Sequence, residues 1–199
     1  MANCNKLFLR FNEDLNISSS KSAKLVTSKD SIKRAVRDYL RDNHPEYVPE
    51  FFIQGSYKLG TMIRTKDDTC DVDLGVYFKK IPDVKSYTMQ RWIYEAVDGL
   101  TKNPPLHKNK CITVDYQSDY NIDLPVYYEQ SNGSPKIAVK NGSWLESDVE
   151  AFEKWFKGLK DPNGQLRRIV KYLKAWCDKC TAFYAKRLDN DRVCYRILC

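Results

Sequence analysis

The stretch Asp71-Val72-Asp73-Leu74-Gly75-Val76-Tyr77-Phe78 constrains this chain more than any other. Apolar residues at 72, 74, 76 and 78 recur with the two-residue period of a strand that buries one face. Asp71 and Asp73 must then share the opposite face, about 7 Å apart along the strand. Carboxylates held side by side repel each other unless a cation lies between them. Magnesium suits such a pair, because it completes its octahedron with phosphate oxygens and water. Upstream, Phe51-Phe52-Ile53 reads as a short strand closed by Gln54-Gly55-Ser56. A glycine in that place lets a phosphate approach backbone N–H groups, and a serine hydroxyl adds one more donor.

Composition bounds the rest. A length of 199 residues fits one domain, or one domain with the start of a second. The apolar fraction of 42% is ordinary for a globular chain. No apolar run approaches a membrane span and the N-terminus lacks a signal-peptide core, so no membrane partner and a cytoplasmic location are expected. The net charge of +7 favours anionic partners such as nucleotides or nucleic acid. Acidic residues gather between Asp67 and Asp73 against that global sign, which fits metal binding. The seven cysteines are an odd number in a chain without secretory features, and free thiols are expected. Cys177-x-x-Cys180 with Cys194 and Cys199 has a spacing that zinc could use, but neither histidine lies nearby.

The periodicity predicts a helix capped by Thr27 or Ser28, carrying Ile32, Ala35, Val36, Tyr39 and Leu40 on one face. A second helix is predicted over 88–101, with Trp92, Ile93, Ala96, Val97 and Leu100 inward and Pro104-Pro105 ending it. Strands are predicted over 111–116, 121–128 and 136–139. Ser147-x-x-Glu150 reads as a capping box that opens a helix with Phe152, Trp155, Phe156 and Leu159 buried. A last helix is predicted from about Gln165 to Trp176, with Leu166, Ile169, Val170 and Leu173 as its apolar stripe. Trp92, Trp155 and Trp176 fall at core positions. Helices mixed with mostly non-parallel strands give an α+β class with a mixed sheet.

An acidic pair that holds metal for phosphate chemistry calls for a third carboxylate to position an attacking hydroxyl. Asp115, Asp119 and Asp123 are the candidates. Asp119 lies in a turn, where aspartate serves local hydrogen bonding. Asp115 lies near a polar strand end. Asp123 stands in mid-strand between Ile122 and Leu124, where a carboxylate is costly unless needed, and it is the choice.

Gly55-Ser56, then Asp71-x-Asp73, then Ile122-Asp123-Leu124-Pro125 resemble the signature of polymerase-β-like nucleotidyltransferases. The segments Gln54-Gly55-Ser56-Tyr57-Lys58-Leu59-Gly60-Thr61 and Gln165 to Trp176 are similar to the bacterial CD-NTase family, which is related to cyclic GMP-AMP synthase and oligoadenylate synthase. The resemblance runs from about Leu7 to Trp176. It implies a polymerase-β-like palm over residues 1–160 and the beginning of a C-terminal helical region over 161–199. It implies two-metal catalysis with Mg²⁺ or Mn²⁺, the metal ligands and catalytic residues being Asp71, Asp73 and Asp123. Gly55, Ser56, Lys171 and Lys174 would bind the triphosphate. The implied activity is the joining of nucleoside triphosphates, ATP, GTP or others, into a cyclic di- or oligonucleotide with release of pyrophosphate, for anti-phage signalling.

Two other outcomes stay open: nucleotide transfer to RNA or protein, and a catalytically silent nucleotide-binding module. A nucleic acid or regulatory protein partner is also open. The family continues after the Lys171 to Trp176 helix into a helical lobe, whereas the sequence after Cys177 does not resemble that lobe. A truncated or atypical helical region is therefore expected.

Overall fold

The computed structural model describes residues 3–117, 119–130 and 133–185. A seven-stranded mixed sheet forms its centre, in the order β1 (Glu50–Gln54), β2 (Asp71–Phe78), β5 (Asn121–Tyr128), β4 (Cys111–Asp115) and β3 (Leu106–His107). A side branch, β6 (Lys136–Ala138) and β7 (Trp144–Glu146), pairs through β6 with β5. Only the β2–β5 pair is parallel among the described strands. Its ladder skips Leu74-Gly75 opposite Leu124-Pro125, where proline has no N–H to donate.

Alternation in β2 and β5 sends Val72, Leu74, Val76 and Phe78, with Ile122, Leu124, Val126 and Tyr128, into one core. Helices α2 (Ser19–Asn43) and α4 (Ser86–Val97) cover it with Leu25, Ile32, Val36, Leu40, Met89 and Ile93. Each such side chain removed from water contributes roughly 1.5–3 kcal/mol, so this face dominates stability. The opposite face is divided. At the C-terminal ends of the parallel strands Tyr77, Tyr127 and Ile137 form a smaller cluster, against which Val149 of α5 (Val149–Gly158) packs. At the N-terminal ends the same face carries carboxylates.

Several local expectations need correction. Helix α2 begins two turns before Thr27. Its cap is Ser18, whose hydroxyl accepts from the Lys21 backbone N–H at 3.1 Å. Leu25 extends the stripe of Ile32, Val36 and Leu40 backward, but the serines and lysines around it hid the period. Ser28 instead shares a hydrogen bond with the Tyr120 hydroxyl. Helix α4 stops at Val97, not at the prolines, because Gly99 turns with φ +80°, and Leu100 is left exposed. The cap of α5 is Asp148, which accepts from Ala151 N–H at 2.8 Å, rather than Ser147.

The largest correction concerns α5 and α6 (Gln165–Ala185). Phe156 and Val170 are buried with Leu59 and partly buried Leu166. Phe152, Trp155, Leu159, Ile169, Leu173 and Trp176 are exposed, Trp176 to 64%. Both helices are as amphipathic as expected, but each uses only one edge of its apolar stripe against α3 (Gly55–Leu59). Trp92 is half-buried, stacked on His44. An unforeseen N-terminal helix, α1 (Asn5–Asp14), lies against α6, where the Tyr172 hydroxyl donates to the Phe8 carbonyl at 2.7 Å.

Candidate active site

The site is built where β1 ends, β2 begins and β5 begins. Strand register decides its composition. Asp71 pairs with Asn121 and Asp73 with Asp123 across the parallel pair. Parallel partners point to the same side of a sheet, so all three chosen carboxylates share the face opposite the main core. On the neighbouring strand Thr113 is the partner of Asp123, and Asp115 the partner of Asn121. The alternatives to Asp123 are accounted for elsewhere. Asp119 pairs with Lys21 at 2.9 Å and Lys24 at 3.0 Å, and Asp115 accepts from the Asn103 amide.

Gly55 joins this cluster through its backbone. It stands at φ +64° as the first residue of α3, and a Cβ added there would fall 2.1 Å from Asp73 Oδ2. Glycine is thus required twice, for the left-handed conformation and for contact with the carboxylate. Gly60, also left-handed, ends α3, and Thr61 N–H returns to the Ser56 carbonyl at 2.9 Å. No side chain caps the start of this turn. Gln54 precedes it but is committed below the site. Its amide donates to the Tyr127 hydroxyl at 2.9 Å and accepts from Tyr77 at 3.1 Å, while those two rings stack 4.4 Å apart.

The electrostatics are those of an acidic cluster only partly offset by nearby lysines. Burial first, then the charges of Asp123 and Asp71, push the Asp73 carboxyl up to about 6, and Lys174 and Lys108 pull against that rise. The environment around Asp73 therefore opposes a second and third negative charge and favours a cation. The side chains are individually restrained. Asn121 donates to Asp71 Oδ1 at 3.0 Å. Lys108 lies 3.3 Å from Asp123 Oδ1, and the Thr113 hydroxyl donates to the same oxygen. Burial disfavours the Lys108 charge, yet Asp123 and Asp71 hold its ammonium above the usual value. Burial pushes the Cys111 thiol up to about 12, with Asp123 adding to it.

Asp71, Asp73 and Asp123 fit a hard divalent cation by charge, oxygen chemistry and shared face. In the conformation described they are not closed on a single point. Among the described residues no group of three His, Cys, Asp or Glu side chains forms a ready shell. Asp123 faces Lys108 and Thr113, and Asp71 faces Asn121, so the carboxylates must turn inward to share an ion.

The two lysines expected at the triphosphate part company. Lys174 is the one whose charge reaches Asp73. Lys171 donates to Asn16 Oδ1 at 2.9 Å, and burial lowers its pKa. Arg167 of the same helix is bound to Asp161 and the Leu59 carbonyl, anchoring α6 to the end of α3. Thr113, Lys108 and Asn121 were not foreseen as parts of the site. Alternation alone puts Thr113 and Asn121 on some face, but only strand register puts them beside the acids. Cys177 and Cys180 are half-buried on α6, and Cys194 and Cys199 lie outside the described residues.

The sheet order, the flanking helices and the Gly-Ser turn beside paired acids are those of a nucleotidyltransferase fold. The model for the cyclic GMP-AMP synthase DncV-like nucleotidyltransferase domain matches residues 49–127, which hold the turn and all three acids. A cyclic GMP-AMP synthase of Escherichia albertii is 26% identical over 193 residues, covering 87% of this chain. The chain spans 43% of that protein's length. The crystal structure of Vibrio cholerae DncV, a cyclic AMP-GMP synthase, superposes with a TM-score of 0.71 at 16% identity, over 90% of this chain and 71% of that one. The Bradyrhizobium diazoefficiens CD-NTase CdnG in complex with GTP gives 0.64 at 18% identity, over 74% and 44%. The chain thus carries, over residues 49–127, a match to a DncV-like nucleotidyltransferase domain, and its fold is that of CD-NTases. No described helix is long and apolar enough to cross a membrane.

Proposed function

We propose that this chain joins nucleoside triphosphates by metal-dependent nucleotidyl transfer, with a cyclic di- or oligonucleotide as product. The observation that carries the reading is the pairing of Asp73 with Asp123, with Asp71 on the same face and Gly55 against Asp73. Asp71 and Asp73 would hold two magnesium or manganese ions, and Asp123 would complete the one nearer the attacking hydroxyl. Bound there, divalent ions neutralise the leaving pyrophosphate and acidify the hydroxyl. The chain's own contribution is placement. The Gly55-Ser56 turn would offer backbone N–H groups and a hydroxyl to the triphosphate, and Lys174, whose charge reaches Asp73, would add positive charge. Groups held rigidly before reaction supply much of the rate in such chemistry. A role in anti-phage signalling would follow from a cyclic product, and it rests on the family resemblance.

Labelled nucleoside triphosphates incubated with Mg²⁺ or Mn²⁺ and separated by thin-layer chromatography test this directly. A phosphatase-resistant product that disappears in Asp73→Asn is expected. A second reading, binding without turnover, is favoured by the restraint of Asp123 on Lys108 and Thr113. Calorimetry that finds triphosphate binding in a chain giving no product would decide for it.

A further inference from the structure

Lys108 stands beside the acid whose freedom the proposed chemistry most needs. It follows β3 in a tight turn, where its backbone N–H is shared between the Leu106 and Cys111 carbonyls at 3.2 and 3.0 Å. The base of the side chain is thus fixed, and its ammonium reaches Asp123 Oδ1 at 3.3 Å. The lysine side chain remains 48% exposed, so it has room to swing outward. Thr113 holds the same oxygen from the neighbouring strand, independently of Lys108. An ammonium at that distance and a doubly charged ion on the same carboxylate would repel each other strongly in a partly dry site. Both cannot stay.

We propose that Lys108 is a built-in competitor for the divalent cation at Asp123. Its ammonium balances that carboxylate when metal is absent and is expelled when an ion binds, so Lys108 sets the metal concentration at which the site fills. Thr113 keeps the carboxylate oriented through the exchange. The inference rests on the metal reading given under Proposed function, and it concerns occupancy of the site rather than the chemistry of transfer.

The test is a Mn²⁺ titration of the full chain, following unbound ion by electron paramagnetic resonance. Lys108→Met and Lys108→Gln should bind Mn²⁺ roughly two- to fivefold more tightly than the unsubstituted chain, the scale of one partly exposed ion pair. Lys108→Arg should bind as the unsubstituted chain does. In an Asp123→Asn background the gain from Lys108→Met should shrink clearly, leaving only the longer-range effect of the Lys108 charge on Asp73 and Asp71. Equal or weaker Mn²⁺ binding in both neutral variants overturns the proposal and leaves the metal site standing. A gain that survives undiminished in Asp123→Asn overturns the link to that carboxylate. Absence of saturable binding in every chain overturns the metal reading and this proposal together.

Discussion

Asp73 and Asp123 are direct partners across the one parallel strand pair of the described sheet, two carboxylates facing the same side with Gly55 closing over the first. That arrangement works against the fold when no cation is present, and the consequence is measurable as a dependence of stability on pH.

The carboxyl of Asp73 is raised from 3.8 to about 6, by burial and then by Asp123 and Asp71. The folded chain therefore holds this proton more tightly than the unfolded chain. Its stabilising effect is complete below 3.8 and is lost as pH rises through about 6. Above that range the ionised group costs on the order of 3 kcal/mol. In EDTA, Asp73→Asn should raise the melting temperature at pH 8 by roughly 6–12 °C and change it little at pH 4. Thermal melts across that range check this, and an equal shift at both ends would contradict it.

Gly55→Ala should uncouple the turn from the acids. Its backbone lies at φ +64°, and the new methyl would collide with Asp73 Oδ2. Left-handed strain costs about 1–2 kcal/mol, a modest loss of stability. Metal-dependent binding of a non-hydrolysable triphosphate should fall by at least about tenfold, because the collision displaces a reacting group. Calorimetry on a variant that still melts cooperatively is the check. Unchanged affinity would remove Gly55 from the site.

Lys174 and Lys171 should differ in effect. Lys174 acts on Asp73, whereas Lys171 is committed to Asn16 at the junction of α1 and α2. Lys174→Ala is expected to weaken triphosphate binding about tenfold, the scale of a charge-assisted hydrogen bond. Lys171→Ala should change it less. Titrations of both variants at one ionic strength give the order, and the reverse order would contradict this placement.

Much of this was legible in the sequence because it depends on strand alternation. The β2 and β5 strands fall where the pattern of Val72, Leu74, Val76 and Ile122, Leu124, Val126 puts them. The pattern also sends Asp71, Asp73 and Asp123 to the outer face of each strand. Whether those outer faces coincide is a matter of register, which no local signal contains; the same gap hid Thr113 and Asn121. Lys108 was illegible for another reason, since a loop lysine has no periodicity to reveal its target. The helices failed at their ends, where caps compete: Ser18 and Thr27 are equally good caps on paper, and Leu25 decides between them through packing. For α5 and α6 the period was right, but burial did not follow. An apolar stripe states what a helix can bury, not what is present to cover it.

That last distinction has its own test. Phe156 is buried with Leu59 and Val170, while Trp155 and Trp176 are exposed. Phe156→Ala should cost about 3–5 kcal/mol by leaving a cavity. Trp155→Ser and Trp176→Ser should each change stability by less than about 0.5 kcal/mol. Urea unfolding of the three variants separates the cases, and a large loss from either tryptophan would show that its surface is covered.

The most direct measurement is an anomalous difference map from crystals of the full chain soaked with Mn²⁺ and a non-hydrolysable nucleoside triphosphate. The account expects manganese density bridging the carboxylates at 71, 73 and 123, with the triphosphate lying along Gly55 and Ser56. Triphosphate bound elsewhere, or manganese that engages residues 71 and 73 while leaving 123 on its lysine, would contradict it.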